Sequence, residues 1–160
     1  LVVQVMSGAW VSTYYAVLAC TEFPHCQGSW WPTMDFTKGF EIWRPLGFDA
    51  AGAHISFQAL TAIHFTHRLL AMFTLAVLAW LAWRLGRHDT TQRPARWLGG
   101  LASLQLLTGL SNVVLDWPLV AAVIHTGGAG AMMVVLVRVL CVTYGHNEQA
   151  RSSVLERSLA

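Results

Sequence analysis

Residues 119–142 read LVAAVIHTGGAGAMMVVLVRVLCV, an apolar run with one histidine, His125, inside it. About 20 consecutive apolar residues cross the hydrocarbon core of a bilayer. Backbone groups in lipid have to be satisfied within their own segment, so the run is expected to be a helix. An ionisable side chain at that depth is costly and by default marks function. A second run, Leu60–Trp83, carries His67 in the same way. Each run follows a segment with the same short pattern: Val3-Gln4-Val5-Met6-Ser7-Gly8 before the first histidine, Leu104-Gln105-Leu106-Leu107-Thr108-Gly109 before the second. The expected arrangement is a duplicated helix pair with one histidine per copy.

The chain has 160 residues, 55% hydrophobic and 11% charged, with a mean hydropathy of +0.49. Soluble domains average about 25% charged residues, so the composition points to a membrane protein. Eight tryptophans suit that class, since indole rings favour the interface. A net charge of only +2 suggests no nucleic-acid partner. The chain begins at Leu1 inside an apolar run, with no signal-peptide n-region, and reads as a fragment whose N-terminal part is missing or whose start is misassigned.

Two further apolar runs, Leu1–Ala19 and Trp97–Leu115, complete the pattern. The expected fold class is all-α, an integral membrane four-helix bundle made of two repeated helix pairs. Helices are expected at about residues 1–19, 58–84, 97–115 and 118–143, making a transmembrane unit over 1–144 with a tail at 145–160. The loop 20–57 contains Pro24, Pro32, Pro45 and several glycines, which oppose a regular helix. Pro118 suits the first turn of the last helix. Arg84, Arg87, Arg93 and Arg96 crowd one connector, and Arg151 and Arg157 lie in the tail. The positive-inside rule makes that side cytoplasmic. The long loop and the Asp116-Trp117-Pro118 corner then face the periplasm of a bacterial inner membrane. Cys20 and Cys26 fall where disulfides persist, and a clip is the plainest reading of that pair. No second Cys/His pair accompanies it to make a zinc site. Cys141 is read as a buried apolar residue.

His67 lies nine residues after Gln58, ~14 Å along its helix, and His125 seven after Pro118, ~10 Å along its own. Both helices start on the periplasmic side, so the imidazoles share a depth. A parallel repeat related by an axis along the membrane normal brings them face to face. That is the arrangement that clamps a haem iron from both sides, in a site built from facing helices. Thr126-Gly127-Gly128-Ala129-Gly130-Ala131 gives a nearly side-chain-free surface for a helix or a flat macrocycle, and Gly8 and Gly109 open space likewise. The blander alternative is that each histidine only hydrogen-bonds a neighbouring helix. His64, one turn from His67, shares its face and is a rival ligand or a gating group. Arg68 either snorkels to the interface or pairs with a haem propionate. His25, His54, His88 and His146 are expected to be solvated, and Trp30, Trp31, Trp43 and Trp117 to form an interfacial belt.

Cys20-x5-Cys26, Trp31-Pro32, Ile63-His64-Phe65-Thr66-His67-Arg68, Gln105-Leu106-Leu107-Thr108-Gly109-Leu110 and Asp116-Trp117-Pro118 through His125 together resemble the C-terminal half of haem A synthase, a cytochrome oxidase assembly family. The resemblance covers nearly all of Leu1–Val142. It implies eight membrane helices in two similar halves, each half with a histidine pair. The N-terminal half holds the haem O substrate and the C-terminal half a haem b cofactor. The family oxidises a methyl group of haem O to a formyl group, with oxygen from water and electrons leaving to an acceptor. It implies that His67 and His125 are axial ligands of haem b and that Cys20 and Cys26 form an extracytoplasmic disulfide. In the substrate-binding half a glutamate lies three residues before the first histidine; here that position is His64. The resemblance therefore implies an electron-transferring half with no catalytic residue of its own. Its partners are the missing N-terminal four-helix half and a haem O synthase that supplies the substrate, with a homo-oligomer left open. The rival reading is a generic bis-histidine membrane cytochrome b passing electrons to quinone. A thiol-oxidising membrane protein and a structural assembly factor are the remaining alternatives.

Overall fold

A computed structural model of the chain describes the backbone of residues 1–159 and the side chains of residues 1–145. All named regular elements are helical: α1 Val2–Thr13, α2 Phe36–Gly39, α3 Phe57–Leu85, α4 Gln92–Val114 and α5 Leu119–Leu159, with 3-10 turns at Ala16–Ala19 and Asp89–Thr91. Two isolated bridges, Cys26 with Ser29 and Phe48 with His54, order the long loop. Among the described residues three segments are long and apolar enough to cross a membrane: Phe57–Leu85, Asp89–Val114 and Leu119–Gly145. Their outer faces expose large apolar side chains such as Phe73, Trp80, Val134 and Leu140, as lipid-facing helices do. The chain is thus an all-helical, multi-pass membrane protein.

The first helix is shorter than its apolar run. α1 spans twelve residues, ~18 Å, short of the ~30 Å hydrocarbon thickness. It stops because Tyr15 takes a left-handed conformation (φ 53) and packs edge-on to Trp117 at 5.7 Å. A left-handed residue just past a helix ends it. α4 ends in the same manner, with Asp116 at φ 53 and Trp117 at φ 59. Three other expected boundaries move. α3 is capped by Ser56, whose hydroxyl accepts from Ala59 N–H at 3.3 Å. α4 starts at Gln92 rather than 97, because Pro94 is tolerated in a first turn. α5 does not stop at 143 but continues through Leu159, so the expected tail is helical in its backbone. The side chains of His146, Arg151 and Arg157 lie outside the described residues.

Two apolar clusters hold the helices together. Leu78 of α3, Leu98 and Ala102 of α4 and Met132 of α5 are buried against one another, with Leu1 packed on them. At the other end Val11, Tyr14, Ala16, Val17 and Ile63 form a second cluster that Trp117 covers. The zone between them is where His67 and His125 sit.

The loop is tied down by polar contacts. Asp49 is buried and its carboxylate accepts from Lys38 Nζ at 3.0 Å and from the N–H groups of Ala51 and Ala53 at 3.1 and 2.9 Å. Trp10 Nε1 donates to Gly39 O at 3.0 Å, joining α2 to α1. The hydrogen bond from Lys38, followed by that from Ala53 N–H, holds the Asp49 carboxyl below its ordinary range and raises the Lys38 ammonium above its own. A depressed carboxylate stabilises the fold above its unfolded value, and that contribution is lost as pH falls through the folded value. The loop should therefore resist limited proteolysis near neutrality and become susceptible on acidification below the ordinary aspartate range. Asp49→Asn should be cut readily even at neutral pH; wild-type resistance in that variant would rule the tether out.

Candidate functional site

The two histidines have matching neighbours. Across the α1–α3 contact, Ser7 Oγ lies 2.8 Å from His67 Nδ1. Across the α4–α5 contact, Thr108 Oγ1 lies 2.9 Å from His125 Nδ1. A Cβ on Gly8 would stand 3.1 Å from His67 Cε1, and one on Gly109 3.1 Å from His125 Cε1. Each ring thus seats in the gap left by a glycine, one residue past its hydroxyl partner. The glutamines of the shared pattern also turn to the histidines. Gln105 Nε2 donates to His125 O at 2.8 Å, while Gln4 Nε2 reaches His67 O at 3.4 Å and lies 3.2 Å from its Nδ1.

His67 and His125 are both half-buried. His125 Nε2 has no hydrogen-bond partner among the described residues; His67 Nε2 has only the Gln4 amide at 3.4 Å. His64 is 3% exposed, and its Nδ1 is buried without a partner. It has no counterpart of the hydroxyl and glycine that flank the other two.

Arg68 neither reaches bulk solvent freely nor stands idle. Its Nη2 donates to Cys20 O at 2.6 Å and its Nη1 to His25 O at 3.1 Å, leaving Nε buried and unpartnered. The guanidinium therefore fastens the loop to α3 one residue after His67. The Sγ atoms of Cys20 and Cys26 lie within bonding distance, with Cα atoms 4.8 Å apart. Both residues are fully buried on Phe65. Gln27 Nε2 adds bonds to Ala19 O at 3.0 Å and Thr61 Oγ1 at 2.8 Å.

Several expectations change here. The small-residue stretch is not one packing surface: Gly128 lies under Gln105, where a Cβ would come within 2.5 Å of Nε2, whereas Gly127 and Gly130 face open space. Cys141 is exposed on α5, not buried, because its position falls on the outward face. His25 is half-buried and stacks edge-on to Trp30 at 4.3 Å rather than being fully solvated. His54 and His88 are exposed, as are Trp30, Trp31 and Trp43, while Trp117 is half-buried. The sequence alone gives the hydroxyls of Ser7 and Thr108 no role; their signal is their shared place in the repeated pattern, directly before its glycine.

The fold and the site define a multi-pass membrane protein with two interior histidines, each seated by a hydroxyl and a glycine of the neighbouring helix. A family model described as cytochrome oxidase assembly protein matches residues 1–137. The chain belongs to that family, whose matched members are heme A synthases. It is 36% identical over 146 residues to the heme A synthase of Shewanella oneidensis, covering 87% of this chain and 42% of that protein. It is 31% identical over 131 residues to the heme A synthase of Nitrosospira multiformis, covering 79% of this chain and 33% of that protein. The heme A synthase of a Ruegeria species is 26% identical over 137 residues, 84% of this chain and 33% of its own length. The chain therefore spans about a third to two-fifths of the length of these relatives. No solved structure matches it significantly.

Proposed function

We propose that this chain is the haem-b-binding, C-terminal half of a haem A synthase, a four-helix unit of two repeated helix pairs, with His67 and His125 as the axial ligands of the iron. The matched neighbours of the two imidazoles are the observation that carries the reading. Among the described residues no group of three or more His, Cys, Asp or Glu side chains could hold a bare metal ion. A porphyrin supplies four of the iron's six ligands, so two imidazoles are enough.

The residues present fit that group. Both Nδ1 atoms are engaged by hydroxyls, which leaves Nε2 as the coordinating nitrogen. The mirrored partners favour His67 over His64 as the ligand. The unpartnered His64 Nδ1 and Arg68 Nε belong to residues four apart on one face of α3, and the pair suits a carboxylate such as a haem propionate. The arginine connector faces the cytoplasm and the cysteine loop the periplasm, where Cys20 and Cys26 are held as a disulfide. Held by His67 and His125, a haem b would supply one-electron transfer rather than a site for oxygen or substrate. Oxidation of the haem O methyl group belongs to a second four-helix half outside this chain, fed by a haem O synthase.

The purified chain, supplied with haem b in detergent, should show a reducible low-spin Soret and alpha band. A chain that takes up no pigment would end the reading.

A further inference from the structure

Ser7 and Thr108 each stand between a histidine and their own helix backbone, Thr108 with a second, longer carbonyl contact to Gln105 O at 3.4 Å. Ser7 Oγ donates to Gln4 O at 3.0 Å and stands 2.8 Å from His67 Nδ1. Thr108 Oγ1 donates to Leu104 O at 2.7 Å and stands 2.9 Å from His125 Nδ1. A hydroxyl has one proton and two lone pairs. With the proton given to the helix carbonyl, the oxygen offers the ring only lone pairs, so Nδ1–H must be the donor. A neutral imidazole carries a single N–H, which leaves the Nε2 lone pair free.

We propose that Ser7 and Thr108 are positioning residues that fix His67 and His125 as Nδ1–H tautomers, aiming an unprotonated Nε2 from each helix pair at the iron. The proposal rests on the haem reading for its purpose, but the tautomer assignment stands on the hydrogen bonds. One group opposes it: the Gln4 amide nitrogen lies 3.2 Å from Nδ1 and 3.4 Å from Nε2 of His67. Its contact with Nδ1 is longer than that of Ser7, and Ser7 decides the tautomer. An acceptor on the far ring nitrogen orients a ligating histidine and raises its basicity. A more basic ligand favours the ferric iron, so removing the acceptor raises the reduction potential.

The test has two arms. In the haem-free full chain, 15N-histidine NMR in detergent should report His67 and His125 as Nδ1–H tautomers. Ser7→Ala should release His67 alone and Thr108→Ala His125 alone, while Ser7→Thr and Thr108→Ser keep the assignment. Predominant Nε2–H in the wild-type chain overturns the proposal whether or not haem binds. In the haem-loaded chain, either alanine variant should shift the midpoint potential upward and weaken haem binding about ten- to a hundredfold. The Thr and Ser swaps should restore both. Wild-type potential and affinity in both alanine variants overturn the positioning role. Correct tautomers in a chain that binds no haem would instead remove the haem reading and leave the assignment of the hydroxyls intact.

Discussion

Replacing His67 or His125 with alanine should abolish stoichiometric haem binding. On the proposed assignment each residue would be the iron ligand on its own helix, so its loss leaves one face of the iron without its ligand. His64 is the nearest candidate, but it lies almost a full turn from His67 and is itself buried. Outer-sphere partners of metal ligands are worth about ten- to a hundredfold in affinity, and loss of the ligand itself should exceed that range. Removing the imidazole also takes away the side chain against which Gly8 or Gly109 packs. Haem titration followed by absorbance, with helix content checked by circular dichroism, measures the effect. Unchanged haem content in either variant would contradict the assignment. His64→Ala should keep the low-spin spectrum; if it alone loses haem, the ligand is His64.

Gly8→Leu and Gly109→Leu should be nearly as damaging, although neither glycine is a ligand. An added Cβ at either position comes within 3.1 Å of the histidine Cε1. That is tighter than ordinary contact, and a leucine extends further into the volume the ring occupies. The ring has to swing away from its hydroxyl and out of the position proposed for an iron ligand. Leucine is a better helix former than glycine by almost 1 kcal/mol, so the helices themselves should not weaken. The expected result is a chain with full helix content and little bound haem. Gly→Ala at the same positions asks the ring to yield only a few tenths of an ångström and should cost much less. Wild-type haem affinity in Gly109→Leu would show that the ring does not occupy this gap.

The membrane class and the helical content were plain in the sequence, because long apolar runs admit little else in a bilayer. So was the recurrence of Gln-x-x-Ser/Thr-Gly ahead of each histidine. The end of α1 was not. Nothing in Thr13-Tyr14-Tyr15 demands a left-handed residue; Tyr15 adopts it to pack against Trp117, which lies about a hundred positions away in the chain. The start of α4 was not legible either: the apolar run begins at Trp97, but the helix takes in the polar Gln92–Arg96 before it, with Pro94 in its first turn. The sequence leaves Arg68 a choice of snorkelling or a propionate, whereas its bonds to Cys20 O and His25 O depend on how the loop folds back over α3. Pairing of the hydroxyls with Nδ1 is a matter of rotamers and helix approach, which one sequence does not display.

Electron paramagnetic resonance of the purified chain loaded with ferric haem b puts the central proposal to its most direct test. One haem per chain with a low-spin, bis-imidazole signal is the expected result. A high-spin signal from an iron with a free axial position, or uptake that never saturates, would contradict it.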